Sequence, residues 1–504
     1  MISPAFSTKS LLSVLLLLFG FLAPSARLSS LGRANTVTKA KNYADGVEST
    51  QVELRGLDID GDGRDDYVKF FKGRHALLAE WIAVSGNPKK RPVWAKADHV
   101  VISLDSKAKV EDVKSAIEAL FDSFKLPAPI RTSLQWSPLN GRSYLYGLSV
   151  TKVEASADIA KILGSLPAIR KIQGVGQAGP DYIVAIDQQT TFPPLEFARE
   201  TELKRIGAEK AWEKATGSNV RVAVLDSGID SHHPDLPSAN LLKLPGSNLV
   251  GGPSGPSDDP SDQLSHGTYC AAIVGAKSGN GKGMIGVAPD VTLMPIKFID
   301  EEGSGTISQA AKAVELASTL PTEDQRAQII SASWGFEGSA PALCDAIAAA
   351  KDVLFVASAG DIERDLDVEE YFPASCKNLS NMIVVGANTQ HDTRLPNSGF
   401  GKRVVDLSAP GDRIFSAIAV NQQNEASPYM AKSGASPAVA FVAGAAALIR
   451  SKNPDFGPRQ IRCRLLQATD SQHALVNTSC SGGRLNLEKA VTGIGLRSNV
   501  CDCP

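Results

Sequence analysis

Six short runs of apolar and β-branched residues recur between residues 221 and 407, separated by stretches with helical spacing. Nearly continuous apolar strands are typical of a parallel sheet that helices cover on both faces. The sequence therefore predicts an α/β fold with a doubly wound parallel sheet. Its reactive side chains belong at the carboxyl ends of the strands. The predicted strands are 221–225, 292–296, 329–332, 353–357, 382–385 and 404–407.

Three segments of this region each contribute one polar residue of a set suited to acyl transfer. Asp226 follows the first apolar run in VAVLDSGID, His266 opens a predicted helix in HGTYCAAIVG, and Ser436 opens another in SGASPAVAFVAGAAALI. A serine hydroxyl needs an imidazole to take its proton, and the imidazole needs a carboxylate to fix its tautomer. Each residue alone has an ordinary structural explanation, such as helix capping. Together they predict a catalytic Asp–His–Ser site.

These segments, in this order, resemble subtilisin-like serine proteases (subtilases), with some proteinase K-like and kexin-like features. The resemblance spans residues 200–490 and implies that residues 201–504 form a subtilisin-like catalytic domain. It implies a serine endopeptidase that cleaves polypeptides through an acyl-enzyme and needs no cofactor for catalysis. Two alternatives are an inactive subtilase-fold binding or scaffold protein and a non-protease hydrolase. Further matching blocks are RIGAEKAW, SHHPDL, GVAPDVTLMPIKFID, SASWG, MIVVGA and DLSAPGDRI.

The resemblance also implies a substrate-binding strand and a specificity pocket. The strand is Ser333, Trp334 and Gly335, and Ser358 and Gly360 match the opposite wall of the pocket. A tryptophan in a strand is also a common core residue.

Asp361 stands where the family usually has an asparagine that donates to the oxyanion. An ionised Asp361 would repel that oxyanion, whereas a protonated one, which burial would favour, could donate. The acidic residues at 361–370 suggest either a preference for basic substrate residues or a solvated loop.

The N-terminus predicts export. Lys9 precedes an apolar run at 11–22 that ends in small residues, which is the pattern of a signal peptide over residues 1–26. A membrane anchor is the alternative, but the run is shorter than the roughly 20 residues that span a bilayer. A formal net charge of −2 gives no indication of binding to nucleic acid or to an anionic membrane. We therefore expect a secreted or endomembrane protein without a stable membrane span.

All seven cysteines lie at or beyond residue 270, which is typical of an exported enzyme with a disulfide-bonded mature part. Because seven is odd, we expect one free thiol, and Cys270 is the candidate because it follows His266 on the same predicted helix. The other six allow 15 pairings. The sequons at Asn378 and Asn477 predict either glycosylation or plain surface turns.

Residues 30–96 contain a candidate calcium loop. Asp58, Asp60, Asp62 and Asp66 occupy positions 1, 3, 5 and 9 of such a loop. Position 12 is Lys69, and the residues around it are typical of a strand, so the pattern is unlike an EF-hand. An Asp- and Gly-rich hairpin turn without metal is the alternative. Structural calcium is thus the one cofactor candidate.

Residues 97–175 alternate in the order β-α-β-β-α-β, which is the split βαβ motif. The second helix is predicted at 155–166 and the last strand at 169–172. The pattern resembles the subtilase propeptide, a small α+β domain that assists folding and temporarily inhibits the enzyme. An unrelated ferredoxin-like domain would give the same pattern. Residues 176–200 are predicted to be the linker in which self-processing would occur.

Overall fold

The sequence folds, in a computed structural model, into one structural unit beginning at Gly46, and the described residues form three sheets within it. The structure describes residues 48–57, 66–72, 77–82, 93–124, 126, 134–140, 143–148, 162–186, 190–192, 201–252, 255–281, 283–319, 325–376, 378–420, 427–498, 500, 501 and 503. The predicted signal peptide and the candidate calcium ligands Asp58, Asp60 and Asp62 lie outside these residues, as does the side chain of Asp66.

The described elements are as follows. The strands are β1 (Glu48–Leu57), β2 (Asp66–Lys72), β3 (Leu77–Ile82), β4 (Val93–Leu104), β5 (Leu134–Asn140), β6 (Ser143–Leu148), β7 (Val175–Ala185), β8 (Thr190–Phe192), β9 (Arg221–Asp226), β10 (Asn248–Gly252), β11 (Gly255–Ser257), β12 (Thr292–Lys297), β13 (Ser304–Thr306), β14 (Ile329–Ala332), β15 (Leu354–Ser358), β16 (Met382–Asn388), β17 (Leu407–Pro410), β18 (Ile414–Ala417), β19 (Tyr429–Ser433), β20 (Asp470–Ser471) and β21 (Gly483–Arg484). The α-helices are α1 (Val110–Ser123), α2 (Leu166–Ile169), α3 (Thr201–Arg205), α4 (Ala208–Trp212), α5 (His266–Gly275), α6 (Ile307–Ser318), α7 (Pro341–Ala349), α8 (Ala435–Lys452), α9 (Pro458–Gln467) and α10 (Leu487–Thr492).

The largest sheet has ten strands in the order β11-β10-β12-β9-β14-β15-β16-β17-β21-β20. Strands β10 to β21 along this path pair in parallel, and β11 and β20 add antiparallel edges. Strand order reverses around β9, so the crevice between β9 and β14 is where a doubly wound sheet places its site.

Each face of this sheet is covered by a separate apolar core. Ala223 and Leu225 of β9 pack with α6 and α7, whereas Val222 and Val224 of the same strand pack with α5 and α8. Successive side chains of a strand point to opposite faces, so this alternation shows helices on both sides. The predicted doubly wound α/β fold is confirmed, with the addition of the two antiparallel edges.

Among the described residues, the second sheet has eight strands, and β18, β19 and β8 form a third. The helix predicted at 155–166 lies mostly outside the described residues. Strands β7, β4, β6 and β5 lie side by side in that order, and all three pairings are antiparallel. The strand predicted at 169–172 is wrong, because α2 ends there and β7 begins at Val175. Strand β7 runs on through residues 176–185, which the sequence assigned to a linker. Its hydrogen bonds go to β4 and to β13, which are distant in sequence, so no local pattern reveals it.

Three disulfides join Cys344 to Cys376, Cys463 to Cys501 and Cys480 to Cys503. Cys270 is free and buried, as expected from the odd count. Asn477 is exposed, which is compatible both with glycosylation and with a plain surface turn. No helix in the described part of the chain is both long and apolar enough to cross a membrane.

Candidate active site

Asp226 is the last residue of β9 and is fully buried. It stands beside Lys297, the last residue of β12, whose ammonium donates to the carbonyl oxygen of Ser227 at 2.6 Å. Burial lowers the pKa of Lys297. The amide of Ser227 donates to Asp226 Oδ1 at 2.7 Å. The strand end therefore fixes the carboxylate in place. Lys297 is a member of this site that the sequence reasoning missed, and its apolar surroundings gave no signal.

His266 begins α5 and is held there by the turn before it. Ser265 has a positive φ of 72°, and the buried carboxylate of Asp262 accepts from the amides of Ser265 and Thr268 at 2.9 Å each. Burial raises the pKa of Asp262. A Cβ on Gly267 would collide with the backbone of Gly228, so only glycine allows this helix to approach the end of β9 so closely. Asp262 was also missed from sequence.

Ser436 lies in the first turn of α8, which is buried from Ala435 to Ile449. Its hydroxyl donates to the carbonyl oxygen of Ser333 at 3.2 Å, and the Ser333 hydroxyl donates to the carbonyl oxygen of Ser436 at the same distance. Such a helix start directs positive potential toward a group in front of it. Ser433, the other serine of this segment, instead contacts Asp412 and the Arg413 amide.

The three side chains form a connected relay. His266 Nδ1 lies 2.7 Å from Asp226 Oδ1 and 2.9 Å from Oδ2, and His266 Nε2 lies 3.1 Å from Ser436 Oγ. His266 and Ser436 are each only 3% exposed. A carboxylate on one ring nitrogen and a hydroxyl on the other is the arrangement that allows the imidazole to accept the serine proton.

Asp361 lies at the start of α8, beside the serine. Its Oδ1 accepts from the amide of Ala435, and its Cγ lies 2.9 Å from where a Cβ on Gly434 would be. As an acceptor in this structure, Asp361 Oδ1 is oriented toward the amide of the residue that precedes Ser436.

Segments 333–335 and 358–361 flank Ser436. The side chain of Trp334 is only 1% exposed, packs edge-on against Phe298 and Phe355, and donates to the carbonyl oxygen of Leu225. Its indole is therefore a core group, and contact with a substrate would be left to its backbone. The ring of Tyr371 lies between Gly335 and Gly360. No sequence pattern had identified this tyrosine.

Three of the six acidic residues at 361–370 pair with arginines. Glu363 pairs with Arg394, Glu369 with Arg364, and Asp367 with Arg403. These contacts favour a structural acidic loop over a charged pocket lining.

Cys270 lies one turn beyond His266 on α5. Its sulfur and the ligand atoms of Asp226 and His266 lie within 4.8 Å of one another. Burial raises the pKa of its thiol well above the usual value. The thiol therefore stays protonated.

The sequence model of the subtilase family matches residues 217–488. The chain belongs to the subtilase family. It is a subtilisin-like serine endopeptidase, as the sequence resemblance implied.

This subtilase is 32% identical over 302 residues to thermitase of Thermoactinomyces vulgaris, covering 59% of this chain and 98% of thermitase. It is 33% identical over 290 residues to subtilisin Savinase of Lederbergia lenta, covering 56% of this chain and 93% of Savinase.

Among solved structures, the fold resembles that of fervidolysin from Fervidobacterium pennivorans, a keratinolytic enzyme related to subtilisin. The TM-score is 0.60 at 22% identity, with 82% of this chain and 63% of fervidolysin covered. A protease of Pseudoalteromonas arctica gives a TM-score of 0.51 at 26% identity, with 60% of this chain and 99% of that protease covered.

Proposed function

We propose that this subtilase is a secreted zymogen that hydrolyses peptide bonds with Asp226, His266 and Ser436 as its catalytic triad. The observation that carries the proposal is the relay of 2.7 and 3.1 Å contacts from carboxylate to imidazole to hydroxyl. The relay is buried, which excludes water from the proton path. No observation favours the inactive scaffold or the non-protease hydrolase.

In the proposed reaction, Ser436 Oγ attacks the substrate carbonyl carbon while His266 Nε2 takes the hydroxyl proton. The tetrahedral intermediate collapses when His266 returns that proton to the leaving nitrogen and the carbon–nitrogen bond breaks. Water then attacks the acyl-enzyme by the same proton path and frees Ser436. Asp226 holds the Nδ1 proton and stabilises the imidazolium.

The amino-terminal sheet supplies the support for a zymogen. Residues Ile183 to Ala185 of β7 pair antiparallel with Ser304 to Thr306, and Ala185 also bridges Gly335 on the other side. The amide of Ile186 donates to the carbonyl oxygen of Gly303. An extended strand held between these two edges occupies the place that a peptide substrate would take. We propose that β7 is the inhibitory end of a propeptide.

A second contact docks this sheet on the catalytic region. The buried carboxylate of Asp181 accepts from the amide and the hydroxyl of Ser308 at 3.0 and 2.9 Å. Ser308 lies in the first turn of α6, where backbone amides have no partner within the helix and are free to donate. The docking supports the role of temporary inhibitor that the sequence resemblance implied.

The register of β7 suggests the processing site. Ala185 pairs antiparallel with Gly335, so a chain that continues past Ile186 in this direction runs toward Ser333. The carbonyl oxygen of Ser333 accepts from the nucleophile. We therefore propose that self-cleavage takes place in the segment that follows Ile186, within residues 187–200.

Self-processing gives the test. Purified wild-type protein should yield a shortened chain whose N-terminus, read by mass spectrometry, lies within residues 187–200, whereas Ser436→Ala should stay full length. The matched control is Ser433→Ala, which removes a neighbouring serine outside the relay and should process normally. One full-length band for both wild type and Ser436→Ala would remove self-processing from the account.

Export and metal binding complete the proposal. The predicted signal peptide and the three disulfides support passage into an oxidising compartment. The candidate loop of Asp58, Asp60, Asp62 and Asp66 would add structural calcium outside the catalytic chemistry.

A further inference from the structure

Two neighbouring strands leave a slot beside the nucleophile. Strands β14 and β15 run in parallel, with Ala332 paired to Ala357. Beyond the end of β14, the carbonyl oxygen of Ser333 accepts from the Ser436 hydroxyl. Beyond the end of β15, Asp361 accepts from the amide of Ala435 at the start of α8. The two segments therefore flank one opening, and Ser436 lies at its mouth.

The ring of Tyr371 lies in this slot, with its Cε1 edge next to both Gly335 and Gly360. A Cβ on Gly335 would come within 2.5 Å of Tyr371 Cζ, and a Cβ on Gly360 would come within 2.8 Å of Cε1. The ring therefore touches both walls, and each wall carries a glycine at the point of contact. Tyr371 is only 2% exposed, so neighbouring groups enclose it.

The backbone around Tyr371 is fixed from two directions. The next residue, Phe372, exchanges two 2.9 Å backbone hydrogen bonds with Phe336. The amide of Tyr371 donates to Ser375 Oγ at 3.0 Å, and the Ser375 amide donates back to the Tyr371 carbonyl oxygen at 2.8 Å. The adjacent Cys376 is tied to Cys344. A ring seated in this way cannot move aside easily for a bulky guest, because packed cores resist added volume.

We propose that Tyr371 is a specificity-determining residue that restricts the substrate residue before the cleaved bond to small side chains. An extended peptide can pair with Gly335 in the way that β7 does. The carbonyl group under attack then lies at Ser436, and the side chain of the same residue is the one nearest the slot. Glycine, alanine and serine fit above the ring, whereas leucine and phenylalanine overlap it. This inference rests on the proposed function of Ser436.

The test compares a series of chromogenic peptide amides that differ only in the residue before the cleaved bond. Wild-type kcat/KM should be at least ~10²-fold higher for alanine or serine than for phenylalanine, since single methylene differences already give about 10–200-fold. Tyr371→Ala should reverse the order by opening the slot. Tyr371→Phe is the matched control, because it keeps the ring and should keep the wild-type order.

The wild-type series decides the matter even if Tyr371→Ala fails to fold. Cleavage that depends on Ser436 but prefers leucine or phenylalanine would overturn the role of Tyr371 and leave the triad intact. Equal preferences in wild type and a folded Tyr371→Ala would overturn it as well. Absence of Ser436-dependent cleavage for every peptide would overturn the proposed function, and this inference with it.

Discussion

Replacing Asp361 by asparagine should make the enzyme faster. The amide oxygen of asparagine can still accept from the amide of Ala435, as Asp361 Oδ1 does, so the contact at the start of α8 is preserved. The new NH₂ group adds a donor beside the nucleophile, where the carboxylate offers only negative charge. Losing one such donor in subtilisin, a relative of this chain, lowers turnover by ~10²–10³. We expect Asp361→Asn to raise kcat by about 10²-fold, the lower end of that range.

The same change should cost a little stability. A carboxylate at a helix start is favoured by about 0.3–1 kcal/mol over a neutral group, so the free energy of unfolding should fall by about that amount. The assay is kcat for a peptide amide across a pH series from mildly acidic to alkaline, with melting measured alongside. Asp361→Ala is the control, since it removes the charge and adds no donor, and it should gain less. An Asp361→Asn enzyme with unchanged kcat and pH profile would show that Asp361 does not face the oxyanion.

Two further predictions concern buried groups. Because the Cys270 sulfur lies beside His266 and Asp226, mercurial reagents should strongly inhibit wild type and leave Cys270→Ala active and resistant; equal inhibition of both would place the target elsewhere. Burial raises the pKa of Asp181, although Lys96 and His99 attract the charged form. The contribution of Asp181 to the stability of the folded state is therefore fully present below the unfolded pKa of about 3.9, and it is lost as the pH rises through the folded pKa. We therefore expect Asp181→Asn, added to the unprocessed Ser436→Ala protein, to raise the melting temperature above that of Ser436→Ala, by an amount that grows as the pH rises from about 4 to neutrality. A difference in melting temperature that stays constant over this range would contradict the raised pKa of Asp181.

Much of the fold could be predicted because its signals are local. Apolar runs such as 222–225 mark buried strands wherever they occur, and the small residues around His266 and Ser436 mark helices that pack closely. The sequence predicts the free thiol because the number of cysteines is odd and because Cys270 follows His266 on the same helix. In each case the deciding information lies within a short stretch of sequence.

The parts that escaped prediction depend on contacts between distant segments. The sequence predicts a linker where β7 lies because these residues include two glycines and a proline, which are typical of a loop. Only the pairing with the distant strand β13 shows that they form a strand. The sequence leaves open whether the indole of Trp334 is a core group or part of the substrate wall, and contacts with Phe298 and Phe355, which are distant in sequence, place it in the core. Tyr371 carries no motif, and only the fold brings it between Gly335 and Gly360.

The central claim is that Ser436, activated by His266 and Asp226, is the nucleophile. Labelling with a fluorophosphonate, followed by peptide mass spectrometry, tests it most directly, because the reagent reacts with an activated serine and spares ordinary hydroxyls. The account predicts a single adduct on Ser436 of the processed wild-type enzyme. It also predicts no adduct in His266→Ala, which removes the base and keeps the serine. An adduct on another serine, or equal labelling of wild type and His266→Ala, would contradict it.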